Sequence, residues 1–487
     1  MLFTSFNFLL FLIAAVAVHA LLPARWRWAW LLLASYGFYA AGNPAALAYL
    51  AVTTALIYAC GWGMERAAGR AGRVAWLSAG AVLLLGGLAA LKYYDFVAGQ
   101  LEALGAALTG GLRLPRLGVR SPAGLSFYVF SAVSYLADAY RGRVSKGHRS
   151  GGLALYVAFF PKILAGPIER ATAFLPQLAG RLRPDAGQVV SGLQLIVWGL
   201  FKKAVIADNL APLVDHAFSI AAFAPPVELV LGVYAFAFQI YCDFSGYTDI
   251  AIGVSRLFGI GLMENFRRPY LSGSTGEFWG NRWHISLAWW FRDYLYIPLG
   301  GSRAGWVRRY LNVMIVFAVS GLWHAGLGYG VGWTFLVWGA LNGLYLWAET
   351  ALAPLGGWLG RRLPRAKGSA ALAVLRALVT FHLVLASWVF FRASSIGQAL
   401  LVLRRIGRGL GQVLAAVGRY PFTADQYLAV GLIVLLLAIE IVDERRSIWE
   451  RLGAAPVALR WGAYYVALFA LLLLGRWQAH EFIYMQF

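Results

Sequence analysis

Apolar stretches near the length that crosses a bilayer, about 20 residues, recur along the chain at 3–22, 27–42, 46–64, 74–95, 121–140, 188–213, 227–258, 310–326, 332–352, 371–393, 426–443 and 459–476. A shorter run, 153–168, is interrupted by Pro161 and Pro167. It reads as a re-entrant or partial element, because irregular backbone at membrane depth is tolerated only where protein covers it. The stretch 261–308 has no clean span. Within it Ser274 and Glu277 form a capping-box pattern, and Trp279, Trp283, Leu287 and Trp290 recur at helical spacing. Arg282, His284, Arg292 and Asp293 break that apolar surface, so the predicted helix lies at the cytoplasmic interface or dips into a protein-lined cavity. The sequence "IGQALLVLRRIGRGLGQVL" predicts an amphipathic helix in the interface. No internal repeat and no separate soluble domain is visible. The pattern predicts an all-α polytopic membrane protein with about twelve crossings by the length rule.

Loop charges orient these crossings. Arg25/Arg27, Arg66/Arg70/Arg73, Arg141/Arg143/Lys146, Arg267/Arg268, Arg361/Arg362/Arg365/Lys367 and Arg445/Arg446/Arg451 fall in alternate loops, whereas the loops around 42–45, 215–226 and 327–331 carry no Lys or Arg. The positive-inside rule then places both termini outside. The basic stretches 98–120 and 394–425 run against the rule. The N-terminal apolar run has no basic residues before it and Arg25 and Arg27 after it, which predicts an uncleaved first helix rather than a signal peptide. Composition agrees with a membrane protein: 60% of residues are hydrophobic, 13% are charged and 20 are Trp. A net charge of +21 would point to nucleic acid in a soluble chain. Here the arginines sit in short loops, so lipid and not nucleic acid is the expected partner. Cys60 and Cys242 both lie in apolar runs, which predicts neither a disulfide nor a metal framework.

Several predicted spans carry polar faces. Gln239, Asp243, Gly246 and Asp249 fall at steps of four, three and three and share a broad helix face. Ser131, Ser134 and Asp138 share another, and Ser320 and His324 are one turn apart. Lipid does not tolerate such faces, so they are expected to point at one another and line a polar tunnel. Plainer roles weigh against this. Asp138 and Asp243 are read as structural, paired with Lys202, Lys203 or an Arg. Asp249 reads as a solvated group, His284 as an interfacial histidine and Arg282 as a topology charge. His324 stands apart because the Gly-rich stretch beside it lets other groups approach closely. On these residues alone an enzyme and a transporter or flippase for exopolysaccharide export stay nearly level, although the inverted repeats common in transporters are not visible.

Seven strings tip the balance: "GLSFYVFSAVSYLADAYRG" (124–142), "FFPKILAGPIER" (159–170), "YCDFSGYTDIAIG" (241–253), "NFRRPYLSGSTGEFWGNRWHISLAWWFRDYLYIPLGGSR" (265–303), "SGLWHAG" (320–326), "ASWVFFRA" (386–393) and "EFIYMQF" (481–487). Together and in this order they resemble the membrane-bound O-acyltransferase family, in its polysaccharide-acetylating branch. The resemblance implies a ring of helices, with re-entrant and interfacial elements, around a central tunnel. It implies two signature histidines, His284 and His324, the second being catalytic. It also implies a cytosolic thioester donor such as acetyl-CoA, an SGNH-type partner outside and an extracytoplasmic polysaccharide acceptor, in a bacterial inner membrane. No bound cofactor or metal is implied.

The residues fit that chemistry. A neutral buried imidazole can take a hydroxyl proton and return it to a thiolate. Arg267, Arg268 and Arg282 are candidates to bind donor phosphates, and Asp138, Gln239, Asp243 and Ser320 are candidates to line the tunnel. Tyr484 is a candidate acyl relay, on the model of a similar terminal tyrosine motif in the D-alanyl transferase system. One domain, 1–487, is expected, divided into N-terminal helices (1–120), a catalytic core (121–352) and C-terminal helices with an acceptor-side tail (353–487). Two strings depart from the family pattern. "FWGNRWH" is one residue longer than the usual string, which rotates a helix by about 100°, and "WHAGLGYGVGW" lengthens the link after His324.

Overall fold

The computed structural model describes residues 1–109, 111–118, 121–144, 150–303, 305–325, 332–362, 369–416, 419–477 and 482–483. Among them there are helices and no strand. The helices used below are α1 (Phe6–Leu21), α2 (Ala24–Ala40), α3 (Ala46–Arg66), α4 (Arg70–Thr109) and α5 (Leu125–Tyr140). Then come α6 (Ala186–Ser219), α7 (Pro226–Arg256) and the short α8 (Ile285–Phe291). The chain continues with α9 (Trp306–His324), α10 (Gly332–Arg362), α11 (Ala370–Arg392), α12 (Ile396–Arg408), α13 (Ala424–Arg445) and α14 (Val457–Leu474).

Every predicted apolar run lies on one of these helices, and seven of them are long and apolar enough to cross a membrane. Where water is absent the backbone must satisfy itself, and a helix does so within one segment. Polar side chains mark where helices begin. Ser5, Ser369, Ser395 and Thr423 each accept a hydrogen bond from a first-turn backbone N–H, at the starts of α1, α11, α12 and α13. Such caps are worth about 1 kcal/mol each. The run at 74–95 grows into a helix of 40 residues, about 60 Å at 1.5 Å per residue, twice a hydrocarbon core of about 30 Å.

The chain packs as two compact units. One gathers Met1–Ile196 and Thr248–Met263, the other Val197–Tyr247 and Glu264–Ile483. In the first unit the proline-broken run at 153–168 is a pair of short helices, Ser150–Ala158 and Phe160–Ile163, which part at Phe159. Phe159, Phe160 and Lys162 are all buried there. The Lys162 ammonium lies 4.5 Å from the centre of the Tyr156 ring. Asp138 sits in the same unit, near Arg141 (3.7 Å) and Arg143 (3.8 Å).

In the second unit α9 and α10 form a tight hairpin. A Cβ on Gly321 would stand 2.4 Å from the Phe335 carbonyl oxygen, and one on Gly339 would stand 2.4 Å from that of Phe317. Only glycine lets two backbones approach so closely, and that approach brings the end of α9 against Trp338 of α10. The predicted amphipathic segment is the helix α12, with Ala399 and Val402 buried and Leu400 exposed.

Candidate active site

The segment from Ser274 to Tyr296 is not one helix. Ser274 caps a first turn by accepting from the Glu277 N–H at 3.1 Å. The Glu277 carboxylate takes the Gly273 N–H at 2.8 Å. A wide turn follows over Phe278–Arg282, in which the Trp283 N–H reaches back to the Phe278 carbonyl at 2.8 Å. Such a π turn holds one residue more than an α turn. It takes up the additional residue of "FWGNRWH" locally, so the extra residue does not rotate the rest of the segment.

The chain then breaks at His284, whose φ of 44° and ψ of 54° are left-handed. That conformation costs a non-glycine residue about 1–3 kcal/mol and persists only where surroundings impose it. Asn265 imposes it. Its carbonyl oxygen accepts from the Ile285 N–H at 2.9 Å, and its Oδ1 accepts from the Ser286 N–H at 3.1 Å and the Ser286 hydroxyl at 2.9 Å. Asn265 therefore starts α8 from another part of the chain. The His284 ring, 3% exposed, packs edge-on to Phe244 with centroids 4.7 Å apart and lies 6.1 Å from the Trp323 ring.

His324 is the last residue of α9 and is 4% exposed. Its Nδ1 is 2.7 Å from the Ser320 carbonyl oxygen one turn earlier. A carbonyl only accepts, so Nδ1 carries the proton, and Nε2 of the neutral ring keeps a lone pair. Trp338 and Phe391 flank the ring at centroid distances of 5.0 and 5.5 Å, and Trp323 lies 4.7 Å from it.

Both histidines line one cavity of about 420 Å³, within the usual range for ligand sites. Its wall follows α9 along Arg309, Val313, Val316, Ser320 and His324, a path of about 22 Å at 1.5 Å per residue. The outer end carries Arg309 and Arg292, both exposed, with Trp289, Tyr310 and Trp347 around them. The inner end holds His284, His324, Ser320 and Trp283, all buried. Trp279 is fixed in the wall by its indole N–H, which donates to Asn342 Oδ1 at 3.1 Å. The site is thus a basic, aromatic mouth leading to two imidazoles in a nearly dry end.

Of the residues singled out from the sequence, this cavity brings together His284, His324 and Ser320. The others lie elsewhere. Arg267 pairs with the exposed Glu264. Arg268 pairs with Asp443 and Glu444. Arg282 pairs with Glu277 and Glu444, each at 2.7 Å. Burial penalises the charge on Arg268 and Arg282, yet hydrogen bonds to Glu444 more than offset it and raise both pKa values. Glu444 thereby ties the end of α13 to the segment that holds His284. Gln239 and Asp243 are buried on α7. Asp243 meets Lys203 at 2.6 Å, and Lys203 also meets Asp208 at 2.9 Å. The structural pairing expected of Asp138 and Asp243 is therefore present in both.

The second oxygen of Asp243 accepts the Ile483 N–H at 2.7 Å. Phe482 and Ile483 are 1% and 2% exposed, so these two residues are set into the protein and do not lie on its surface. Tyr484 and the glycines after His324 lie outside the described residues. Sequence reasoning missed Asn265, Arg309 and Glu444. Arg309 had a readable signal, because it shares a helix face with Ser320 and His324.

Residues 126–386 match the profile of MBOAT, the membrane-bound O-acyltransferase family. The chain belongs to this family. It is similar to the probable alginate O-acetylase AlgI of Azotobacter vinelandii, 38% identical over 405 residues that cover 82% of this chain and 76% of the relative. The probable alginate O-acetylase AlgI of Pseudomonas aeruginosa is 38% identical over 406 residues, 82% of this chain and 73% of the relative. The peptidoglycan O-acetyltransferase of Helicobacter pylori is 32% identical over 420 residues, 81% of this chain and 75% of the relative. Membership makes the chain an O-acyltransferase, and in such an enzyme a cavity that ends on two histidines is the place for acyl transfer.

Proposed function

We propose that this membrane-bound O-acyltransferase moves an acetyl group from a cytosolic thioester donor, such as acetyl-CoA, toward a polysaccharide outside the bacterial inner membrane, where an SGNH-type partner completes the transfer. The observation that carries the reading is the polarity of the cavity. A phosphate-bearing, aromatic donor head suits the Arg309, Arg292, Trp289 and Tyr310 end, and a thioester suits the buried His324 end. Relatives named for alginate and peptidoglycan acetylation support a polymer acceptor and an acetyl group.

In this reading His324 Nε2 takes the proton of the attacking hydroxyl and returns it to the departing thiolate. His284 closes the opposite side of the inner end. The donor phosphates meet Arg309 and Arg292, since Arg268 and Arg282 are committed to carboxylates. Labelled acetyl transfer from acetyl-CoA in reconstituted membranes tests this. Arg309→Ala raises the donor KM about tenfold or more, the scale of one lost charge-assisted contact, and Arg267→Ala leaves it near the wild-type value. Equal effects of the two substitutions would remove Arg309 from the donor site.

We assign Tyr484 the role of acyl relay to the partner. The residue before it is held by Asp243, and the next residue on α7, Phe244, packs on His284. Tyr484→Phe is expected to abolish polymer acetylation while acetyl-CoA still turns over to free acetate. Full polymer acetylation by that variant would end the relay.

A further inference from the structure

One polar group in the inner end has no role so far. Ser320 lines the cavity and is 8% exposed. Its carbonyl serves His324, but its hydroxyl has no hydrogen-bond partner among the described residues. A buried hydroxyl without a partner is uncommon and calls for an explanation. It stands one helical turn from the base, where side chains are neighbours.

Two roles suit a hydroxyl in that place, nucleophile or hydrogen-bond donor, and the ring orientation decides between them. His324 turns Nδ1 toward the Ser320 carbonyl at 2.7 Å. Nε2, the basic nitrogen, therefore points from the far side of the ring and is not aimed at Ser320. A serine that the base does not face is not activated to attack. It remains able to donate. The neighbouring indole N–H of Trp279 is already committed to Asn342.

We propose that the Ser320 hydroxyl is the oxyanion donor of this site, a reading that rests on the acyl-transfer function above. The acceptor hydroxyl oxygen attacks the thioester carbonyl carbon, its proton passes to His324 Nε2, and the carbonyl electron pair moves onto oxygen. Ser320 donates its hydrogen bond to that oxygen as the charge forms. The C–O double bond is then restored, the C–S bond breaks, and the proton passes from Nε2 to the thiolate. An ester and a thiol are the products, and nothing else is consumed. Donors aimed at where charge develops act more strongly in a dry site than in water.

The test is steady-state transfer from acetyl-CoA in reconstituted membranes by Ser320→Ala, Ser320→Cys and Ser320→Thr. Loss of one oxyanion donor lowers kcat about 10²–10³-fold. Ser320→Ala is expected to show that loss with donor KM little changed. Ser320→Cys, close in size but a weak donor, should fall nearly as far, and Ser320→Thr should recover most of the rate. A Ser320→Ala enzyme with wild-type kcat overturns the assignment. So does intact-protein mass spectrometry that finds an acetyl group on Ser320. If Ser320→Ala fails to fold, Ser320→Cys decides alone, and an unchanged kcat there is equally fatal. If His324→Ala retains activity the acyl-transfer reading itself fails. If only the Ser320 variants retain it, the failure belongs to this assignment.

Discussion

His324→Ala lowers acetyl transfer from acetyl-CoA by about 10²–10⁴-fold, the usual contribution of a positioned general base. The size follows from placement. The ring is 4% exposed, its Nδ1 is spent on the Ser320 carbonyl, and no water-filled face offers a replacement base. The backbone there is ordinary helix, so alanine keeps the fold, and the loss falls on kcat. His284 needs a different probe because its backbone is left-handed. His284→Ala mixes ring loss with backbone strain. His284→Asn separates them, since Asn tolerates that conformation better than most residues. A His284→Asn variant that folds and binds donor but transfers slowly assigns chemistry to the imidazole. Wild-type transfer by His324→Ala would sink the mechanism.

The apolar runs made the helices legible because lipid leaves the backbone one local way to bond itself. Boundaries were less legible. The run at 74–95 stops where hydropathy falls, yet α4 continues well past it, since helix propensity continues without an apolar requirement. The helix expected after Ser274 breaks at His284 because Asn265, outside that segment, supplies the cap that starts α8. Nothing in the local pattern of Trp279, Trp283, Leu287 and Trp290 encodes that. The pairing of Arg268 and Arg282 with Glu444 is similarly remote in sequence. It leaves the donor end to Arg309 and Arg292, which the count of loop charges did not separate from topology. His324 and Ser320 were readable because i and i+4 on a helix always share a face. The structural pairing of Asp243 was also readable, from the scarcity of cations at that depth. Its second bond, to the backbone of Ile483, was not, because any residue carries that N–H.

That second bond makes the next largest effect separable into stability and function. Lys203, 1% exposed, meets Asp243 and Asp208 together. Removing one member of a buried ion pair costs about 3–5 kcal/mol, because the remaining charge has no water to turn to. Lys203→Met strands two carboxylates and should lower the unfolding temperature in detergent more than either aspartate substitution. Asp208→Ala and Asp243→Ala each leave Lys203 one partner, so their stability losses should be similar and smaller. They should differ at the C-terminus. Asp243→Ala also removes the acceptor of the Ile483 N–H, which frees the segment after α14 and exposes it to carboxypeptidase. Asp208→Ala does not. If the tail carries the relay, Asp243→Ala loses polymer acetylation out of proportion to its stability while donor turnover persists. Equal protease resistance in the two alanine variants would show that the ion cluster holds the bundle without holding the tail.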